Sequence, residues 1–435
     1  MGTLAEVRLW GTTIGAVFLD DGETVASFEY APGFLGSGIG LSPVHLPLRQ
    51  GVFRFPELDG GAFHGLPGML ADSLPDRYGH ALINAWLARQ GRTPESFNAV
   101  ERLCYVGRRG MGALEYEPAR GPDPSESHVL QVGTLAELAG RVIRERGRLD
   151  TRLDAGEDAI RDILRVGTSA GGARAKALIA WNPETNDVRS DQVHPGDGFS
   201  HWVLKFDGVS GDERIEVGRS TGYGAVEYAY SVMARRAGIC MPETRLFEEG
   251  GRRHFMARRF DRTDEGDKRH MQSLGALLHF DYNLAGAYAH EQALALIRRL
   301  GLGMDTVEEQ YRRMVFNIVT CNQDDHVKNI AFLMDRRGHW SLSPAFDITW
   351  NYNPEGAWTS RHQMRVNGKR DDFTTGDLEA VADAASMKRG RWREILQDVL
   401  NAAAAWTDVA FETGIPEDDA RAIAATFRII ADEDV

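Results

Sequence analysis

One stretch constrains this chain more than any other: Cys321-Asn322-Gln323-Asp324-Asp325-His326-Val327-Lys328-Asn329. It follows the apolar run RRMVFNIVT and precedes the apolar run IAFLM. Polar side chains packed this densely between two interior segments are costly unless they open into a cleft or bond to one another. Asp324 and Asn329 stand five apart, the spacing of a phosphoryl-transfer loop. There a carboxylate takes or orients a hydroxyl proton and an amide oxygen holds magnesium. An isolated match of this kind is explained as readily by helix caps and a turn, so the case depends on what lies around it. His326 lacks a spaced His or Cys partner, which argues against a metal ligand. It is a candidate to orient Asp324 or meet a phosphate, with a structural hydrogen bond as the alternative. Lys328, in the same loop, is a candidate nucleotide contact.

Eighteen residues beyond Asn329 comes Asp347, in Ser343-Pro344-Ala345-Phe346-Asp347-Ile348, after an expected strand over Trp340–Leu342. Magnesium takes a few hard oxygen donors plus phosphate oxygens, and Asp347 with Asn329 supplies them. Upstream, Val166-Gly167-Thr168-Ser169-Ala170-Gly171-Gly172-Ala173-Arg174-Ala175-Lys176 is rich in glycine. Gly171 and Gly172 allow backbone N–H groups to approach phosphate oxygens. The order matches neither GxxxxGK[ST] nor GxGxxG, and a plain turn before KALIAW is the alternative. Lys205, on the apolar strand HWVLKF, is placed like a phosphate-binding lysine; an edge-strand lysine reaching for water is the competing reading. Glu227, on the next expected helix, is its candidate partner, with Glu216 also near in sequence.

The 435 residues imply two or three packed subdomains. With 43% apolar and 26% charged residues the composition is that of a globular chain, and no long apolar run suggests a membrane span. Cys104, Cys240 and Cys321 are scattered without metal or disulfide spacing, which points to a reducing, cytoplasmic setting. A formal charge of −13 disfavours a direct grip on nucleic acid, although a local basic patch around Arg361, Lys369 and Arg370 stands out. Alternation over 6–30 predicts a β-meander and the spacing over Asp76–Gln90 a helix. Residues 121–128, GPDPSESH, read as a linker. Strands are expected at Ala177–Trp181, His201–Phe206 and His254–Arg258, and a helix over about Tyr223–Ala237. Helical patterns then dominate at 288–300, 305–321, 390–407 and 416–431. The fold class is α+β and two-lobed: a mixed α/β N-terminal part, then a mostly helical C-terminal lobe. The divisions are 1–120, 121–262 as the nucleotide-binding lobe, and 263–435 as the helical lobe.

These features, in this order, resemble the HipA family of type II toxin–antitoxin serine/threonine kinases. The resemblance spans nearly the whole chain. It runs through Leu41–Leu48, Gly68–Asp76, GTSAGGARAK, HWVLKFDG, His254–Asp261-Arg262, NQDDHVKN, LSPAFDITW and His362–Lys369. It implies a kinase-like fold with ATP and Mg2+ between the lobes. Asp324 then looks like the catalytic aspartate, Asn329 and Asp347 like the magnesium ligands, and Lys205 like the ATP-phosphate lysine. Arg259 and Phe260 fall at the hinge that meets adenine mainly through backbone atoms. Ser169 falls where the family carries an autophosphorylated, self-inactivating serine, with Thr168 the competing acceptor. The family also implies a HipB-like antitoxin that carries any DNA contact, and an aminoacyl-tRNA synthetase as protein substrate. No helix-turn-helix is evident in this chain. A phosphotransferase acting on a lipid or small molecule, or a pseudokinase that only binds a partner, are the competing functions.

Overall fold

The structure is a computed structural model describing residues 2–122, 129–144, 157–167, 174–192, 196–209, 222–263 and 265–430. The first sheet is the expected meander with two additions. It contains β1 (Thr3–Leu9), β2 (Thr12–Leu19), β3 (Ser27–Tyr30), β4 (Val52–Phe53) and β5 (Leu114–Glu117), in the order β4-β3-β2-β1-β5. Alternate residues Ala5, Val7 and Leu9 are buried while their neighbours are not, so one face of β1 supplies core. β5 was not legible because its pairing partner β1 lies more than a hundred residues away.

The second sheet contains β6 (Lys176–Trp181), β7 (Val188–Ser190), β8 (Ser200–Lys205), β9 (Thr244–Glu249) and β10 (Arg252–Arg258), in the order β7-β6-β8-β10-β9. β8 lies at its centre, with Lys205 opposite Lys176 on one side and Phe255 on the other. A third sheet, β11 (His270–Ser273), β12 (Ala331–Met334) and β13 (Trp340–Leu342), flanks the helical lobe. That lobe is built on helices His290–Arg299, Met304–Val319 and Arg391–Ala404, which share one core with the Tyr223–Arg236 helix.

The expected helix over 416–431 ends at Ala424. Its continuation is drawn off by other partners. Arg428 N donates to Val319 O at 2.9 Å, Trp350 Nε1 to Thr426 Oγ1 at 3.0 Å, and Arg428 pairs with Asp371 at 2.6 Å. The pattern over 390–407 is likewise divided, a second helix beginning at Trp406. Of the linker, residues 123–128 lie outside the described residues.

The N-terminal part does not keep to itself. Tyr78, Leu82 and Ala85 of the Arg77–Arg89 helix are buried with Leu164, Ala177 and Leu204 of the middle lobe. Just before that helix, the chain reaches the helical lobe. Gly68 N donates to His279 Nε2 at 3.1 Å, and Asp72 accepts from Ser273 N at 2.7 Å and Ser273 Oγ at 2.9 Å. Asp76 caps the helix by accepting from Gly79 N at 2.9 Å and lies 3.6 Å from the ammonium of Lys176.

Candidate active site

The Met304–Val319 helix stops at the polar run because Cys321 takes a left-handed conformation, φ 54°. Tyr230 OH donates to the Thr320 carbonyl at 2.7 Å, fixing the point where the loop leaves the core. Val327, alone apolar between His326 and Lys328, is buried. Around it, Gly275 N donates to Val327 O at 3.1 Å and Leu274 N to Ile330 O at 2.7 Å. The loop is therefore anchored through its backbone while its polar side chains are divided between two duties.

That division falls between neighbours. The Asp324 side chain is 32% exposed and that of Asp325 only 2%. Asp325 accepts from Gln363 N at 2.7 Å, from His362 Nδ1 at 2.9 Å and from His290 Nε2 at 3.3 Å. Burial alone would raise its carboxyl, but the two histidines outweigh burial and hold it well below the usual carboxylate range. Asp325 is a structural anchor, whereas Asp324 is partly open to solvent. Asp324 Oδ1 accepts from Trp358 Nε1 at 2.6 Å and lies 3.8 Å from His326 Nε2. Burial raises its carboxyl above the ordinary value, against the opposing pull of His326 and the Trp358 N–H.

The 347–351 segment runs beside the loop. Gln323 N donates to Asn351 O at 3.0 Å and Asn351 N to Cys321 O at 3.2 Å. This pairing brings Asp347 to Asp324 across the cleft floor. Asp347 itself is left-handed, φ 52°, a conformation unusual for a residue with a Cβ.

Lys205 comes down from β8 and its ammonium is bonded to both Glu227 and Asp347. Burial disfavours that ammonium, but Asp347 and Glu227 together raise its pKa. Burial pushes the Asp347 carboxyl up, but Lys205, Lys176 and His326 together hold it below its ordinary value. Glu227 is set by the start of its helix. Gly222 and Gly224 N–H groups donate to Asp207 at 3.0 and 3.4 Å, and Gly224 lies so close to Arg253 O that a Cβ would meet it at 2.1 Å. Arg174 reaches Glu227 at 3.4 Å and lies over the Tyr223 ring at 3.8 Å.

Lys176 was missed by sequence reasoning. It stands across the strand pair from Lys205, so both face one side of the sheet, and it is buried. Two opposed lysines are repulsive unless acids are near, and Asp76, Glu227 and Asp347 are those acids. Trp358 was also missed, since nothing in sequence joins it to Asp324.

The remaining candidates are placed as follows. Lys328 lies over the Tyr282 ring at 4.5 Å, and Tyr282 is 6.0 Å from the His326 ring. Arg259 is buried, its guanidinium is committed to Asp191 at 2.5 Å and Asp261 at 2.6 Å, and its backbone N–H donates to His201 O at 2.8 Å. Phe260 packs against Phe346 at 5.7 Å, beside Asp347 in sequence. Thr168, Ser169, Gly171 and Gly172 lie outside the described residues.

Whether a metal–nucleotide complex suits these residues can be tested on the donors. Asn329 Nδ2 donates to Asp324 O at 2.8 Å, which orients the amide and leaves its oxygen uncommitted among the described residues. An amide oxygen and a carboxylate such as that of Asp347 are hard donors of the kind magnesium takes. Beside Glu227, Arg174 Nη2 is buried without a hydrogen-bond partner among the described residues. Orphaned donors of this kind suit phosphate oxygens.

The family model described as HipA N-terminal domain matches residues 5–117, and the HipA-like C-terminal domain matches residues 168–407. The fold is similar to HipA in the Shewanella oneidensis MR-1 toxin–antitoxin complex of HipA, HipB and operator DNA. The TM-score is 0.67 at 17% identity, covering 97% of this chain and 94% of that one. The Helicobacter pylori proinflammatory kinase CtkA aligns with a TM-score of 0.28 at 10% identity, over 52% of this chain and 92% of that one. No curated protein sequence matches. With the C-terminal domain alone matching more than half of its length, this chain belongs to the HipA family of serine/threonine kinases.

Proposed function

We propose that this protein is an ATP- and magnesium-dependent serine/threonine protein kinase acting as the toxin of a toxin–antitoxin pair. The observation that carries the reading is that Lys205 is bonded to Glu227 and Asp347, that Asp347 lies close enough to raise the Asp324 carboxyl, and that Asn329 is bonded to the Asp324 carbonyl. ATP with magnesium would supply the transferable phosphoryl group, held by Asn329 and Asp347, with Lys205 drawing its phosphates into line. Asp324 orients the acceptor hydroxyl and takes its proton. Asp325 holds the loop from below, and Trp358 holds Asp324 from the side. The acceptor is a protein, an aminoacyl-tRNA synthetase by family, and a HipB-like partner would neutralise the toxin and carry DNA binding. Ser169 is the proposed autophosphorylation site, where a phosphate would add about −1.5 to −2 charges beside the nucleotide and weaken its binding.

The test is Asp324→Ala. The purified variant keeps its fold and most nucleotide affinity, and loses transfer of labelled phosphate from ATP by at least about 100-fold, the scale of general-base catalysis. Expressed alone, the wild-type chain slows bacterial growth and the variant does not. Transfer retained by the folded variant would remove Asp324 from the chemistry. Equal growth at matched expression would remove the toxin role.

A further inference from the structure

The basic run noted at 361–370 becomes a defined object in the fold. His362 N donates to Arg370 O at 3.2 Å, and Val366 and Lys369 exchange backbone bonds at 2.9 and 3.0 Å. Asn367 and Gly368 both have positive φ, 48° and 78°, as the two central residues of a tight hairpin turn require. The hairpin is fastened to the catalytic loop through Asp325, by Gln363 N and His362 Nδ1. It is also fastened to the helical lobe, where Arg365 N donates to Tyr288 O at 2.8 Å and His290 N to Arg365 O at 2.9 Å.

His362, Gln363, Met364 and Val366 are buried, while Arg361 and Arg365 are exposed. Arg370 lies between exposed and buried, with Nε donating to His362 O at 2.6 Å. Among the described residues none of the three arginines has a carboxylate within ion-pair distance. Asp371 pairs with Arg428 at 2.6 Å and Asp377 with Lys369 at 2.7 Å. Burial lowers the pKa of Arg370, Asp325 opposes that, and Arg361 and Arg365 lower it further, so the three cations lie close enough to feel one another. A chain with net charge −13 thus gathers three arginines on the element joined to its Asp324–Asn329 loop.

We propose that this hairpin face, carrying Arg361, Arg365 and Arg370, docks an acidic stretch of the protein substrate beside the hydroxyl that Asp324 serves. The proposal rests on the phosphoacceptor reading above and names the substrate class of that site. Charge complementarity of this kind selects partners and speeds encounter. A nucleic acid is the less favoured occupant, because three arginines in an acidic chain make a spot and not the extended basic face that a phosphate backbone needs.

The test uses the full chain and two fluorescent serine-centred peptides, one flanked by glutamates and the other by glutamines. Binding is read by anisotropy, and phosphate transfer from ATP with magnesium is read in parallel. R361Q/R365Q and R361E/R365E are compared with wild type; Arg370 is left in place because it braces the hairpin. The expected result is about tenfold tighter binding of the glutamate peptide by wild type at low salt, lost in both variants and shrinking as salt rises. Equal binding of the two peptides, or a preference that survives in both variants, overturns the dock. So does unfractionated tRNA binding more tightly than the glutamate peptide, with that binding being what the variants lose. Preference without transfer removes the kinase reading and leaves the dock; transfer without preference does the reverse.

Discussion

The side-chain amide of Asn329 donates to the backbone carbonyl of Asp324 at 2.8 Å, closing the catalytic loop on itself. The bond sets the amide oxygen and the Asp324 carboxylate as two ends of one rigid unit. The proposed metal-holding and proton-handling groups are therefore positioned together.

Asp347→Ala removes the carboxylate proposed to hold magnesium and one of the two counter-ions of Lys205. Magnesium-dependent nucleotide affinity should fall at least about tenfold, the scale on which metal sites respond to lost ligation. Without magnesium the variant should bind ATP as well as wild type or better, since a negative charge facing the phosphates is gone. Calorimetric titration with and without the metal checks both. An unchanged magnesium dependence would show that Asp347 is not a ligand.

Trp358→Phe keeps a ring beside Asp324 and deletes the N–H that favours its carboxylate form. Burial already raises the Asp324 carboxyl, so the acidic limb of the kcat/KM profile should lie above that of an ordinary aspartate. The variant should move that limb further up, because one of the groups opposing burial has been removed. A pH–rate profile of both proteins reads the direction. A limb that stays put or moves down would break the link between this indole and the reacting carboxyl.

Asp325→Asn tests the anchor. The folded-state pKa of Asp325 is depressed, so its stabilisation is present above the unfolded value of about 3.9 and is lost as pH falls through the folded value. The variant should therefore be less stable by about 1.5–3 kcal/mol, the worth of hydrogen bonds to a charged group. The gap to wild type should narrow below about pH 4, once the carboxyl begins to take up a proton in the unfolded chain. Denaturant melts at several pH values check this. A gap that widens below about pH 4 would contradict the sign.

Much of this was legible in the sequence for local reasons. Trp340–Leu342 is a strand as expected, and the helix expected over Tyr223–Ala237 runs Tyr223–Arg236, because apolar spacing there agrees with the final packing. The Asp324–Asn329 loop was visible because six consecutive residues carry its geometry. What escaped depends on contacts distant in sequence. β5 is defined by β1, the end of the Glu417–Ala424 helix by Val319 and Trp350, and Lys176 by an aspartate a hundred residues earlier. Asp325 and Asp324 are the same residue type side by side, and only the fold of the 358–370 segment tells the anchor from the reacting group.

The short N-terminal stretch fastened at Asp72 to Ser273 and at Asp76 to Lys176 links the helical lobe to β6. Four residues of fully extended chain reach at most about 14 Å. While both attachments hold, Ser273 and Lys176 can part by no more than that span plus the reach of the side chains that join them, and in the proposed kinase this bears on how the nucleotide leaves. Nucleotide exchange then has two routes. It can proceed through a narrow gape, or wait for Asp76 to let go of its lysine. In the second case the exchange rate would be set by the lifetime of a contact made outside the nucleotide's own binding groups.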